Sequence, residues 1–352
     1  MTLAVLLPCR NEARVIERRI ANLAWLEWPS VPAGRKHKLI VIDDDSQDDT
    51  AAMATEALRQ SFTEDGPVSW EVTSNQQRPG KAGAISQALT QVAAVDLIVL
   101  GDADVLFSQG CLLRVIEAFQ ADPMLAMACG RQRFVPSLPQ DGRCNQLLPE
   151  GDGAAAGLYD RITARVRSIE SRMGLLFSVH GQCMAWRQSL NLQPTGELAA
   201  DDLDLALQLR SRSRSEGPWK VCMLAGVHFF ECKTVDAEIA QQQALRRARA
   251  YVQVMRASRT SQGSILSRLQ WSLYRSLPLY APELFFLLIM LVLGLADWQF
   301  GYGSLLLMPL GILLLAGTAT GRGIMRINGL IRKARRAERK ETLAPQWEMR
   351  RT

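Results

Sequence analysis

Three groups of carboxylates stand out for their type and spacing. Asp43-Asp44-Asp45-Ser46-Gln47-Asp48-Asp49-Thr50 directly follows an apolar run. Carboxylates at a strand end can accept hydrogen bonds from a base N–H and from ribose hydroxyls, while Ser46 or Asp48 can cap the next helix. A solvated acidic turn would look the same. Asp102-Ala103-Asp104 follows another apolar run. Two carboxylates at i and i+2 offer the hard oxygens that suit Mg2+ or Mn2+, ions that keep waters and take phosphate oxygens as further ligands. Asp201-Asp202-Leu203-Asp204 opens a helical stretch. Acids in a first turn are favoured by the helix dipole, yet one such carboxylate can also act as general base on a hydroxyl.

The cations form a complementary set. Gln243-Ala244-Leu245-Arg246-Arg247 can clamp a diphosphate, because guanidinium forks match phosphate oxygens; it can equally be a basic interfacial face. Lys81, after Pro79-Gly80, can serve the same phosphates from a helix N-terminus. His180 precedes Gly181 and reads as a buried structural histidine, with contact to an acceptor or a phosphate as the other possibility.

Elements that could position these residues follow from periodicity. Leu3–Leu7, Leu39–Ile42, Ser69–Thr73 and Asp96–Leu100 read as strands; the stretches 13–26, 50–60, 81–94, 159–177 and 201–210 read as helices. This alternation predicts an α/β fold, a mainly parallel sheet flanked by helices on both faces. Ligands of such sheets sit beyond the carboxyl ends of strands, where the acidic clusters fall. Residues 136–157, rich in Pro, Gly, Gln and Asp, read as a mobile surface loop, and 210–217 as a solvated turn.

Taken together, the motifs resemble the family 2 glycosyltransferases, inverting enzymes of GT-A (Rossmann-like) fold. Pro8-Cys9-Arg10-Asn11-Glu12 is similar to their opening motif. Asp43 to Thr50 resembles D-D-x-S-x-D-x-T, with Asp45 and Asp49 where glycine is usual. Asn75 and Pro79-Gly80-Lys81-Ala82-Gly83-Ala84 resemble N…G-K-A-x-A, and Asp102-Ala103-Asp104 matches D-x-D. Gly181 to Arg187 resembles the acceptor-side G-x-x-x-x-x-R. Asp201-Asp202 stands for E-D, and Gln243 to Arg247 for Q-x-x-R-W. Over roughly residues 1–255, the resemblance implies that Asp44 and Asp102 contact the nucleoside, that Asp104 holds Mg2+ or Mn2+, and that Asp202 is the catalytic base. Pro8, Glu12, Lys81, Gly181, Asp201, Gln243, Arg246 and Arg247 are implied to line the substrates. Arg247 replaces a tryptophan frequent in polymer-making members, which implies single transfer rather than processive synthesis.

Composition limits the remaining possibilities. The 352 residues allow one large domain or two ordinary ones. With 48% hydrophobic and 22% charged residues, the chain is neither disordered nor fibrous. From Arg322 onward ten Lys and Arg face three Glu, an excess greater than the whole chain's +6. A basic tail beside an apolar block suits a membrane surface and argues against a nucleic-acid partner. Seven cysteines without a C-x-x-C pair fit buried thiols in a reducing compartment. No signal peptide is recognised at the start, because Arg10, Glu12 and Arg14 interrupt the apolar run.

The expected organisation is a GT-A catalytic domain at 1–240, basic amphipathic interface helices at 241–278, a transmembrane hairpin at 279–321 and a basic tail at 322–352. Leu266, Leu269, Leu273 and Leu277 recur at helical spacing among arginines. Leu284–Ala296 and the stretch 298–321 are uncharged, and their connector Asp297–Gly303 lacks Lys and Arg. The positive-inside rule then places the catalytic domain and tail on the cytoplasmic side of the inner membrane. The expected activity is transfer of one sugar from a nucleotide-diphosphate sugar, a UDP-sugar, to a lipid or lipid-linked hydroxyl. Two alternatives are a polysaccharide synthase subunit that works with a channel partner and a non-catalytic nucleotide-sugar-binding membrane subunit.

Overall fold

Seven consecutive residues of β1 (Leu3–Cys9) are buried. A strand buried on both faces must be covered by helices on both sides, and this requirement organises the first part of the chain. The computed structural model describes residues 1–92, 94–144, 158–212, 219–232, 236–258, 264–300 and 318–343. The chain separates into two compact units: Met1–Val235, and Asp236–Thr260 with Ser264–Leu343.

In the first unit, β1 lies between β2 (His37–Asp43) and β4 (Leu97–Gly101), parallel to both; β3 (Val68–Ser74) extends the sheet beyond β2. The intervening helices are α1 (Ile16–Trp25), α2 (Thr50–Ser61) and α3 (Lys81–Leu89). Beyond β4 the sheet continues through β7 (Cys183–Arg187), β6 (Leu125–Val135), β8 (Lys220–Cys232) and the short β5 (Leu106–Phe107). Helices α4 (Cys111–Ala121), α5 (Leu158–Arg172) and α6 (Asp201–Ser211) complete the unit.

The expected mainly parallel sheet is a mixed one. Strand β7 runs antiparallel to both β4 and β6, and β5 runs antiparallel to β8. An apolar run reports burial and carries no strand direction, so the sequence pattern could not show this. Among the described residues, the two larger buried clusters lie one on each face of the sheet. One gathers Leu3, Val5, Leu7, Ile16, Ile20, Phe107 and Phe119; the other gathers Leu6, Ile40, Ile85, Met184, Trp186 and Leu205. Each fully buried large aliphatic side chain contributes about 1.5–3 kcal/mol.

Helix α5 stops short of the expected 177. Gly174, at φ +69°, takes the left-handed conformation that ends helices, and Leu175 N–H turns back to the Glu170 carbonyl at 2.8 Å. Helix α3 stops at Leu89, not at 94. All seven cysteines are free thiols.

The second unit consists of α7 (Ala237–Ala257), α8 (Ile265–Phe300) and α9 (Ala319–Lys340). The Asp236 side chain caps α7 by accepting from Glu238 and Ile239 N–H. Much of the expected basic tail is α9, joined to α7 by the Arg249–Glu338 pair at 2.8 Å and to α8 by Arg335–Glu283. The expected hairpin is only partly covered by the described residues. Its first arm, Leu284–Ala296, continues without a break from the basic interface segment as one helix, α8. Among the described residues no helix is long and apolar enough to cross a membrane. The second arm lies largely in 301–317, outside the described residues, as do most of the loop at 136–157, the turn at 213–217 and the end of the tail from 344.

Candidate functional site

The carboxyl ends of β1, β2 and β4 meet at one edge of the first unit's sheet, and Asp44 organises that edge. The residue is 2% exposed. Its Oδ1 accepts from Asn75 Nδ2 at 2.5 Å, its Oδ2 accepts from Gly80 N–H at 2.7 Å, and Arg10 Nη1 stands 3.6 Å away. Its own N–H donates to the Cys9 carbonyl at 2.9 Å. One carboxylate thus ties together the end of β1, the loop after β3 and the start of α3.

The turn around it is locally built. Asp43 accepts from the Ser46 hydroxyl and from Ser46 N–H. Ser46 Oγ in turn accepts from Asn11 N–H at 2.8 Å, and Asn11 Oδ1 accepts from Gln47 N–H at 2.7 Å. Asp45 has φ +58° and Asn11 φ +55°. Asp and Asn are the side-chain-bearing residues best suited to that region, which explains how Asp45 occupies a position where glycine is usual. Pro8 is buried in β1, and Glu12 N–H donates to Thr50 Oγ1 at 2.7 Å, which ties the segment after β1 to the start of α2.

Gly80 and Lys81 link this edge to the other acidic groups. Gly80 adopts φ +110°, ψ 164°, a conformation only glycine takes readily. The Lys81 ammonium lies 2.6 Å from Asp102 Oδ1 and 3.7 Å from Asp201 Oδ2. These carboxylates, Asp102 foremost, outweigh the opposing effect of burial and hold the ammonium above its ordinary range.

Asp202 faces the same cluster. Its Oδ2 accepts from Gly181 N–H at 3.3 Å and its Oδ1 from Leu203 N–H at 2.7 Å. A Cβ on Gly181 would lie 3.0 Å from Asp202 Cβ, so glycine is what lets the carboxylate come this close. Burial, and then the neighbouring Asp201 charge, push the Asp202 carboxyl up to about 6, against the opposing pull of Lys81 and two backbone N–H groups. A base tuned toward neutrality suits proton transfer at physiological pH.

Asp104 stands two residues beyond Asp102 in the link from β4 to β5, half-buried. Among the described residues no three His, Cys, Asp or Glu side chains gather into a metal cluster. Hard carboxylate oxygens in small number fit Mg2+ or Mn2+ where phosphate and water complete the shell. Residues Gln243, Arg246 and Arg247 belong to α7 of the second unit, Gln243 being buried there. His180 stacks edge-on against Phe229 at 5.5 Å, as a structural histidine would.

The structure therefore brings together Asp44, Lys81, Asp102, Gly181, Asp201 and Asp202. It adds residues that the motif reading left outside the site. Asn75 and Arg10 hold Asp44. Asn22, on α1, accepts from Phe107 N–H at 2.9 Å and donates to the Phe107 carbonyl at 3.0 Å, pinning the strand that follows Asp104. Arg19, fully buried beneath Gly101, lies 3.9 Å from the Phe107 ring. The available signal was Arg19's position among Ile16, Ile20 and Leu23, on the buried stripe of α1.

This arrangement, acidic side chains converging at the carboxyl edge of a GT-A-like mixed sheet, has counterparts among known proteins. The family model for glycosyl transferase family 2 matches residues 4–190, more than half of the chain, and the chain belongs to that family. A beta-monoglucosyldiacylglycerol synthase from Synechocystis is 27% identical over 222 residues, 62% of this chain and 41% of that protein. A poly-beta-1,6-N-acetyl-D-glucosamine synthase from Staphylococcus epidermidis is 24% identical over 132 residues, 38% of this chain and 29% of that protein. The chain thus spans less than half the length of these curated relatives. A mannosyltransferase from Pyrobaculum calidifontis, solved with GDP-Man and Mn2+, superposes with a TM-score of 0.66 at 18% identity, over 95% of this chain and 86% of its own; the fold is shared.

Proposed function

We propose that the chain transfers one sugar from a nucleotide-diphosphate sugar, a UDP-sugar, to a hydroxyl of a lipid or lipid-linked acceptor, with inversion at the anomeric carbon. The observation that carries this reading is Asp202, held against Gly181, pushed up to about 6, and clustered with Lys81, Asp102 and Asp201. Asp202 takes the proton of the acceptor hydroxyl as its oxygen attacks the anomeric carbon opposite the departing diphosphate. Asp44 and Asp102 bind the nucleoside, and Lys81 faces the developing negative charge from the start of α3. Asp104 would hold Mg2+ or Mn2+, whose chemistry when bound is to neutralise charge on the diphosphate.

Two features support a lipid acceptor at a membrane surface: the similarity to a protein named beta-monoglucosyldiacylglycerol synthase, and the exposed apolar side chains of α8. Ile265 is 78% exposed, Leu269 54% and Leu295 61%. Helix α8 then lies on the bilayer and meets anionic headgroups with its arginines. Incubation of the purified chain with radiolabelled nucleotide sugars and membrane lipid extract should yield an organic-soluble product, and Asp202→Asn should abolish it while retaining nucleotide binding. Label that remains water-soluble with every donor would reject the lipid acceptor. The similarity to a polysaccharide synthase favours a second reading, polymer synthesis with a channel partner, which product size separates from single transfer.

A further inference from the structure

Past the carboxyl edge of the sheet, β6 and β8 run on together and carry a group of cations that the reading above does not use. Cys129 of β6 pairs with Met184 near the start of β7, so Arg131 and Arg133 project beyond that edge. Arg131 is the register partner of His228 on β8, and Arg133 of Phe230. Arg114 reaches in from α4 and donates to the Gly226 carbonyl at 3.0 Å. A Cβ on Gly226 would come within 2.4 Å of Arg114 Nη1, so the guanidinium packs directly on that backbone.

Backbone bonds fix His228: Ser108 N–H donates to its carbonyl at 3.0 Å, and its own N–H donates to Ser108 Oγ at 3.3 Å. Its Nδ1 is buried without a hydrogen-bond partner among the described residues, as is Arg131 Nε. Burial, then Arg133, Arg131 and Arg114 in that order, hold the imidazole below its ordinary range. The acid on this stretch, buried Glu231, accepts from Gln132 Nε2. Three arginines that share one location, with a buried guanidinium N–H left without a partner and an unpartnered imidazole nitrogen beside it, suit an anion.

Position narrows which anion. Successive strands are spaced about 4.8 Å apart, so β6 and β8 stand roughly 10 and 14 Å across the sheet from β4, which leads to Asp102. Gly181, the contact of Asp202, precedes β7, which lies between β4 and β6. The nucleoside-binding edge and this cationic group therefore flank the proposed base from opposite sides.

We propose that Arg131 and His228, with Arg114 and Arg133 around them, form an acceptor subsite that takes a phosphate group carried by the acceptor. The assignment rests on the glycosyltransferase reading for what the neighbouring site does. The phosphate belongs either to a soluble phosphate ester or to a lipid headgroup.

The test uses the full chain with Mn2+ and saturating UDP, or GDP where UDP does not bind, so that the donor site is filled. Calorimetric titration with inorganic phosphate should show binding. Arg131→Gln and His228→Gln should each weaken it tenfold or more, Arg131→Lys less, and each should leave nucleotide affinity within twofold. Circular dichroism melts check folding; if Arg131→Gln fails to fold, Arg131→Lys and His228→Gln carry the test. Glycerol 3-phosphate and phosphatidylglycerol vesicles then compete for the phosphate. Displacement by the first alone assigns a soluble ester, and displacement by the second assigns a headgroup. Displacement by neither, phosphate affinity unchanged in the variants, no phosphate binding by the parent chain, or a parallel loss of nucleotide affinity would overturn the subsite. Failure of the parent chain to bind any nucleotide would instead reject the donor-site reading.

Discussion

If Asp202 is the base, its pKa should set the acid limb of activity, and the structure supplies two levers of opposite sign. Asp202 sits at about 6 against an ordinary 3.8, raised by burial first and Asp201 second, and lowered by Lys81. Asp201→Asn removes the like charge and should move the limb of kcat/KM to lower pH. For neighbouring side chains, taking a separation on the order of 7 Å and an effective dielectric near 20, two unit charges interact by ~2.4 kcal/mol, and ~1.4 kcal/mol corresponds to one pKa unit. At that spacing the displacement is on the order of 1.7 pH units at most. Because burial is the larger cause, a displacement of about one pH unit is expected. Lys81→Met removes the opposing cation, 3.7 Å from Asp201, and should move the limb upward. The assay is release of nucleoside diphosphate from the donor the chain turns over, followed from about pH 4.5 to 8, where kcat/KM reports groups of the free enzyme. A limb that stays in place in Asp201→Asn, or moves in the same direction in both variants, would refute Asp202 as the titrating base.

Other perturbations follow from the same geometry. Asp44→Asn leaves a buried amide facing the Asn75 amide and Gly80 N–H, so UDP or GDP affinity should fall tenfold or more by calorimetry. Gly83→Ala puts a Cβ 1.8 Å from the Arg78 carbonyl oxygen, a backbone collision that should cost more than ~3 kcal/mol in urea unfolding or prevent soluble expression. Asp202→Asn should also stabilise the fold. Because the native pKa lies above the unfolded one, the native state binds the proton more tightly, and ionisation costs stability as pH rises from about 4 through 6. The gain should be about 1–2 kcal/mol at pH 8 and vanish below pH 4, read from urea melts at both pH values.

The parts of the fold that were legible share one physical property. Leu3–Leu7, Leu39–Ile42 and Leu97–Leu100 are buried on both faces, so their composition alone marks them. The second and third are followed by carboxylates at the edge where helices no longer cover the sheet, which is why Asp44 and Asp102 were visible as site residues. Strand β8 was not legible, because it is only partly covered and its buried and accessible positions follow no period of two; its bulged pairing with β6 breaks the alternation. The hold of Asn75 on Asp44 depends on a loop conformation that no periodicity encodes. For the second unit, the apolar content of Leu284–Ala296 suggested a span, yet it continues a basic amphipathic helix without a break, and hydropathy alone does not separate a helix that crosses a bilayer from one that lies on it.

Arg19 shows how the scaffold and the site constrain one another. Its guanidinium is fully buried, donates through Nη1 to Asn22 Oδ1 at 2.8 Å, and leaves Nε and Nη2 without hydrogen-bond partners among the described residues. Burial pulls its pKa down to about 10, while the Asp102 carboxylate favours the charge. A buried cation so poorly satisfied should be costly to the fold. Its position explains why it can nonetheless be retained: Gly101 has no Cβ, and one there would lie 2.6 Å from Arg19 Nη2. The cation therefore sits directly behind the strand end that presents Asp102, and the Asp102 carboxylate helps hold its charge. Arg19→Met, similar in length and uncharged, should leave stability unchanged or raise it by about 1–2 kcal/mol in urea melts, while weakening nucleotide binding severalfold through Asp102. If the same variant lost stability and bound nucleotide normally, Arg19 would be a packing element alone, and the electrostatic link between α1 and the acidic edge would have to be abandoned.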